Sequence, residues 1–449
     1  MNGAKFENNE KSSLGIICAV NEGTISNCEL MNITITASSY AGGIAGYNFG
    51  VVDANGKLIG GIISECKVTG NSKISASAGY SGGLIGHVIG GEITACSSSC
   101  KVWGGQSSKS LGGLIGELKS KKGCGTTMLR CTSSGDISVG GGSSIGGLIG
   151  YLEAEDSGII ITKCSSVGNV FSTGTVLTSF GGLIGNLNSA TVENCFSTGT
   201  ILNDENSLIN AYYVGGLIGY CTEGTITDCY HIEGKVGGEN GIGGLIGFVN
   251  NKDYFSKIER SFASNLNVNG QTNVGGLIGR FNEGATKTVT VSQCFANTFV
   301  NGSTYNVGGL IGFICNASVT DCYSVGKVEG SESIGGLIGY VNDGNSTVSY
   351  CYSVATVISK SSKNYGELIG YINSPTANGF KCDNSYYLED EVNSSYGQGK
   401  SKEQLKDRTT YTGWNILDTN TLGTRWWIDS KIANAINDGF PYLANIKYP

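Results

Sequence analysis

Proline is almost missing from this chain: three residues in 449, alongside only two histidines and 14% charged residues. Each scarcity closes off a class of protein. Collagen needs a strict three-residue glycine period and abundant proline, so 72 glycines without either do not make a triple helix. Disorder needs high charge and low hydropathy. Here the charged fraction is well below the roughly 25% of ordinary globular chains, and apolar residues make up 39%. Two histidines leave no HExxH zinc-protease motif and little scope for a Ser-His-Asp triad. No run approaches about 18 unbroken apolar residues, so no membrane span is expected. A basic stripe is missing too. The net charge is −7, and the densest basic run, KSKKG at 119–123, reads as a solvated loop, so no nucleic-acid partner is expected. The N-terminal MNGAKFENNEKSS lacks the apolar core of a secretion signal. That leaves an unsecreted protein or an excised fragment of a longer one, and the fragment is the reading taken.

What is abundant is a repeat. GGLIG begins at 82, 112, 146, 181, 215, 243, 275, 308 and 335, flanked by GGIAG at 42–46, GELIG at 366–370 and a worn copy, LGIIC, at 14–18. About twelve copies recur 27 to 40 residues apart, the period of solenoids, propellers and arrays. Ten or more residues after each copy comes a short run ending in cysteine, as in TITDCYHIEGKV (225–236) and SVTDCYSVGKV (318–328). That column holds Cys28, Cys66, Cys96, Cys131, Cys164, Cys195, Cys229, Cys294, Cys322 and Cys351, with Ser261 and Ser385 standing in twice. The intervening stretches are short, β-branched and bounded by Gly, Asn or Asp, which are strand signals. Each repeat is too small to bury a face alone, and stacking solves that. The expected fold is all-β, a parallel β-helix (β-solenoid) of about twelve coils, a rod of roughly 60 Å at about 4.8 Å per coil. The glycines are expected to supply positive φ at corners or to let backbone pass where a Cβ would clash. A propeller competes, but twelve units exceed its usual blade count.

Several motifs look like sites. A dinucleotide loop needs its glycines once, at the start of a helix, and GxxxG dimerisation needs an apolar membrane helix; neither context exists. The sixteen cysteines form no CxxC pair and read as a buried thiol ladder rather than disulfides. Cys100 falls where other repeats carry Gly168, Gly199 or Gly326. His87 occupies the place of Tyr151, Tyr220 or Phe248, and His231 the serine of CYS, so both read as repeat filler. Acidic clusters at 152–158, 203–207 and 388–392 read as solvated loops. No cofactor motif is present, and Ca²⁺ at one acidic cluster is left open.

The alternation of V/I-G-G-L-I-G-aromatic with N/D-C-Y/F-S-x-G resembles the GLUG repeat family over about residues 14 to 390. The resemblance implies a bacterial surface or secreted protein, adhesin-like and non-catalytic in its repeats, and a chain ending in an aromatic closure. The stretch 1–375 is expected to be the solenoid and 376–449 a capping segment. The cap holds a short helix at SKEQLKDR (401–408), with a Ser401–Gln404 capping box, and an aromatic plug containing Trp414, Trp426 and Trp427. The expected function is a non-enzymatic extracellular or cell-surface structural or adhesin module, presenting loops to host or cell-surface glycans or proteins. The alternatives are a polysaccharide-acting β-helix, which needs carboxylates from neighbouring coils to meet in one groove, and a filament subunit joining end to end. Loop insertions are the usual place for recognition in a repeat rod. They point to Tyr212, Tyr213, Tyr254 and Phe255 as ligand-contact residues.

Overall fold

The computed structural model describes all residues except 9–12, 156–157, 175, 203–209, 252, 254, 285, 343–344, 374–378, 390–395, 419–423, 429–435, 445 and 447–449. One coil shows the construction. Strands Ile278–Phe281 and Val289–Ser292 lie in one sheet, and Phe295–Gly308 returns through the other. The next coil repeats them as Ile311–Ile314, Ala317–Thr320 and Tyr323–Gly335. Like pairs with like: Ile278 with Ile311, Val291 with Val319, Phe295 with Tyr323, Gly308 with Gly335. Continued along the chain, the described residues form two parallel sheets, of 28 and 22 strands, wound through about eleven turns. The chain is a parallel β-solenoid. Leu84, Leu114, Leu148, Leu183, Leu217, Leu245, Leu277, Leu310 and Leu337 stack inside it, fully buried. The long insertion after Gly46 forms an antiparallel hairpin, Val51–Val52 with Leu58–Gly60.

Steric exclusion, not left-handed backbone, explains the motif's glycines. A Cβ on Gly275 would stand 1.9 Å from the carbonyl oxygen of Ile278, across its own elbow. On Gly276 it would meet the Gly309 oxygen of the following coil at 2.0 Å, and on Gly279 the Gly247 oxygen of the preceding coil at 2.5 Å. The terminal copies break the pattern at the matching places. The last has Glu367 at the second position, with no later copy to strike. The pairing Gly15 with Gly42 shifts the worn first copy to GIICA, 15–19, which puts Ala19 at the third position with no earlier copy behind it. The first copy carries Ile16 at the second position, and at the next corner a Cβ on Gly43 would have 2.8 Å to the Gly83 oxygen, against 2.0 Å at Gly276.

Left-handed φ falls instead on the residue before each cysteine-column position. Asn27, Glu65, Ala95, Arg130, Lys163, Asn194, Asp228, Arg260, Gln293, Asp321, Tyr350 and Asn384 all have φ between 46° and 56°. Each such residue costs roughly 1–2 kcal/mol, and the column beside it offsets that cost. The Cys131 N–H donates to Cys164 Sγ in the next coil at 3.4 Å, and that thiol donates to the Thr162 carbonyl at 3.3 Å. Ser261 has the same bonds, accepting from Cys229 N–H at 3.1 Å and donating to Glu259 O at 2.8 Å. The column therefore takes a small side chain that both accepts and donates, which cysteine and serine satisfy. All sixteen cysteines are free thiols.

After Leu388 the chain does not continue the stack for long. Gln398–Lys400 pairs with Tyr386–Leu388, and the helix Lys402–Leu405 follows with both bonds of the Ser401–Gln404 capping box in place. The tail then turns back along the side of the rod. Its aromatic residues pack on a ladder of stacked rings, Phe262, Phe295, Tyr323, Tyr352 and Tyr386, rather than across the open end of the core. Successive rungs lie 4.7 to 5.1 Å apart from Phe262 to Tyr352. Trp426 is fully buried there, its indole N–H on Asp321 Oδ1 at 3.0 Å, with Arg425 on the other carboxylate oxygen at 2.7 Å. Trp414 donates to Asn384 O at 2.9 Å.

Candidate functional site

The glycine elbow turns tightly enough that the residue two before it meets the residue just after it. Tyr40 touches Tyr47 (ring centroids 6.2 Å apart), Tyr80 touches His87 (5.8 Å) and Tyr213 touches Tyr220 (5.6 Å). The ring before the elbow is present on these three coils; beyond Tyr213 the position holds Gly241, Asn273, Asn306, Ser333 and Asn364. Between Tyr80 and Tyr213, three consecutive coils carry Ser110, Ser144 and Ser179 there. The missing rings leave a groove of about 650 Å³, walled by Tyr80 at one end and by Tyr213 and Tyr220 at the other. Its floor carries the residues after the elbow, Glu117, Tyr151 and Asn186, in register on successive strands.

Charge in the groove is paired. Glu117 is buried, with Oε2 2.8 Å from His87 Nδ1 and Oε1 3.4 Å from Lys119 Nζ. Lys119 Nζ also reaches Glu153 Oε2 at 3.0 Å. Burial works to lower the Lys119 pKa, but the hydrogen bond to Glu153 and the charges of both carboxylates outweigh it and raise it. Tyr151 is pushed up to about 12, by burial first and then by the neighbouring Glu153 charge. His87 lies flat against Tyr47, with centroids 4.8 Å apart and planes 20° apart. Lys109 extends to 5.8 Å from the Tyr80 ring centroid. Ser144 and Asn186 make no side-chain hydrogen bond to another described residue, so their polar groups are left for a visitor or for water.

Two expectations need correcting. KSKKG is not simply a solvated loop: Lys119 is half-buried between two carboxylates, and Lys121 lies over the Phe49 ring at 3.6 Å. Glu153, from the acidic cluster 152–158, lies beside the groove, paired with its lining residue Lys119, and through Lys119 it meets a carboxylate of the adjacent coil. The cluster at 203–207 and residues 390–392 of the cluster at 388–392 lie outside the described residues. Among the described residues, no three His, Cys, Asp or Glu side chains converge to hold a metal ion.

Of the predicted ligand-contact residues, Tyr213 lines the groove, and its ring packs 4.6 Å from that of Phe248. Tyr212 stands beside it, ring centroids 6.4 Å apart. Phe255 is 66% exposed on a separate loop with Lys287 Nζ 5.3 Å from its ring, and Tyr254 lies outside the described residues. Sequence reasoning missed Glu117, Lys119, Tyr151, Glu153 and Asn186. The signal was the run of serines two residues before three consecutive elbows, legible only once the repeats are aligned.

This elbow, with its glycines fixed by close approach to neighbouring coils, is the feature that comparison recovers: the GLUG motif family matches residues 177–202. The chain carries the GLUG motif. In this chain the motif forms a corner whose glycines pack against its own turn and against the coils on either side. Halomucin of Haloquadratum walsbyi is 29% identical over 155 residues, 30% of this chain. The chain spans about 2% of halomucin's own length. No solved structure matches. Among the described residues, no helix is long and apolar enough to cross a membrane.

Proposed function

We propose that this chain is a module of a surface structural protein, a stiff non-enzymatic rod that holds adhesive features at fixed spacing for host or neighbouring-cell surfaces. The observation that carries the reading is the GLUG stack interrupted at one defined place by a groove, together with the similarity to a stretch of halomucin. A solenoid of stacked parallel coils is suited to such work because each coil is held only by its neighbours, so one lateral surface changes without disturbing the rest. Extracellular placement and glycan or protein partners belong to the same proposal.

A polysaccharide-acting enzyme is the second reading, favoured by Glu117 and Glu153 meeting from adjacent coils. Their ion pairs weigh against it: an acid–base pair needs a carboxyl free to reach the substrate, and both carboxyls here are engaged by Lys119 Nζ, at 3.4 Å and 3.0 Å. Screening the chain against immobilised glycans and matrix proteins tests the adhesive reading. Saturable binding to one class supports it, and a null result across both panels leaves a scaffold without adhesion.

A further inference from the structure

The groove has a shape and chemistry that narrow its ligand further than a general surface role does. It runs parallel to the rod axis. From Tyr80 to Tyr213 is four coil steps, roughly 19 Å at about 4.8 Å per step. Along the floor Tyr151 and Tyr220 stand two coils apart, roughly 10 Å by the same spacing, with Asn186 between them. The aromatic faces are half-buried and the polar groups are hydroxyl and amide. Glu117 in the lining and Glu153 just outside it, paired to Lys119, balance the charges of Lys119 and Lys109.

We propose that this groove binds a neutral, extended oligosaccharide of about four sugar units, laid along the rod with pyranose faces on Tyr151 and Tyr220. The proposal rests on the reading of the chain as a surface rod and names the ligand of one site on it. Sugars present an apolar C–H face to an aromatic ring and hydroxyls at the rim, the combination that a few aromatic walls with scattered amides and hydroxyls accommodate. Asn186 supplies a donor and an acceptor between the two rings, and the Ser144 hydroxyl supplies a third group from the wall. An anionic chain gains little, because Lys119 is committed to two carboxylates and those carboxylates repel it. The spacing favours a chain whose successive disaccharides present the same face, so that one ring grips every second sugar. The serines Ser110, Ser144 and Ser179 determine access, because a tyrosine at any of them would put a ring in the space between Tyr80 and Tyr213.

The test is titration calorimetry of the whole chain against neutral β-linked tetrasaccharides of glucose, xylose and N-acetylglucosamine, with oligogalacturonate as the anionic comparison. Binding of at least one neutral tetramer is expected, weakened about tenfold or more by Tyr151→Ala and by Ser144→Tyr. Tyr340→Ala, in the same column far along the rod, should leave it unchanged. Thermal melts of each variant separate lost binding from lost folding, and Asn186→Ala provides a smaller change that spares the backbone. Neutral-sugar binding that survives both Tyr151→Ala and Ser144→Tyr would overturn the groove assignment while leaving the surface reading intact. Preference for the anionic oligomer would overturn the neutral-ligand assignment. Release of new reducing ends, abolished by Glu117→Gln, would overturn the purely binding role. Failure of every oligosaccharide here, with positive capture of a matrix protein on the panel above, would sink this inference and spare that reading.

Discussion

His231 makes the core of this rod sensitive to acid in a way that can be worked out beforehand. It stands in an inward-facing column whose neighbouring coils carry Ser98, Ser133, Ser166 and Ser197 before it and Ala263, Ala296, Ser324 and Ser353 after it, directly beneath the second glycine of the elbow. The Ser197 hydroxyl donates to Gly216 O at 2.8 Å, so its lone pair faces His231 Nδ1 at 3.1 Å. Nε2 is buried without a hydrogen-bond partner among the described residues, and protonating it would strand an N–H in the core. Burial lowers the pKa from 6.5 to about 4. As pH falls the unfolded chain takes up the proton first. Stability is therefore full above about 6.5, declines as pH drops towards about 4, and is flat below that. The span of the shift corresponds to about 3 kcal/mol. Carboxylates titrate in the lower part of this window, so the measurement is a difference. Urea unfolding, or amide exchange in the strand Tyr230–Ile232, is followed across the window for the native chain and for His231→Ser. The native chain should lose about 3 kcal/mol more than the variant. Parallel profiles for the two proteins would refute the buried neutral imidazole.

The remaining predictions concern packing. Gly276→Ala should cost about 1–3 kcal/mol by overpacking against the Gly309 carbonyl, whereas Ala19→Ser, the third position of the first elbow, should change stability by less than about 0.5 kcal/mol; denaturant midpoints compare them. Trp426→Ala should cost about 3–5 kcal/mol, confined to the tail. Amides of residues 414–418 and 424–428 should then exchange quickly while the coils upstream of Phe262 keep their protection.

The architecture was legible because a stacked fold writes its contacts into its period. Copy number, the spacing of GGLIG and the cysteine column are enough to require parallel coils with like residues superposed, and the register Gly275 with Gly308 is what that reasoning predicts. Even the capping box at Ser401 and Gln404 is a local signal, complete within four residues. What each conserved-looking position does depends on atoms about 30 residues away, and only the stacked structure supplies them. The first glycine of an elbow is fixed by its own turn, the second by the coil after it and the third by the coil before. The cysteine column looks like small apolar filling in the sequence, yet its sulfur atoms take the N–H of the preceding coil. The tail's aromatic residues announce a cap without saying which surface they cover. The groove exists because three serines fall on consecutive coils. Their neighbours in space are separated by whole repeats in the chain, so a linear reading sees three ordinary serines where the fold has opened a site.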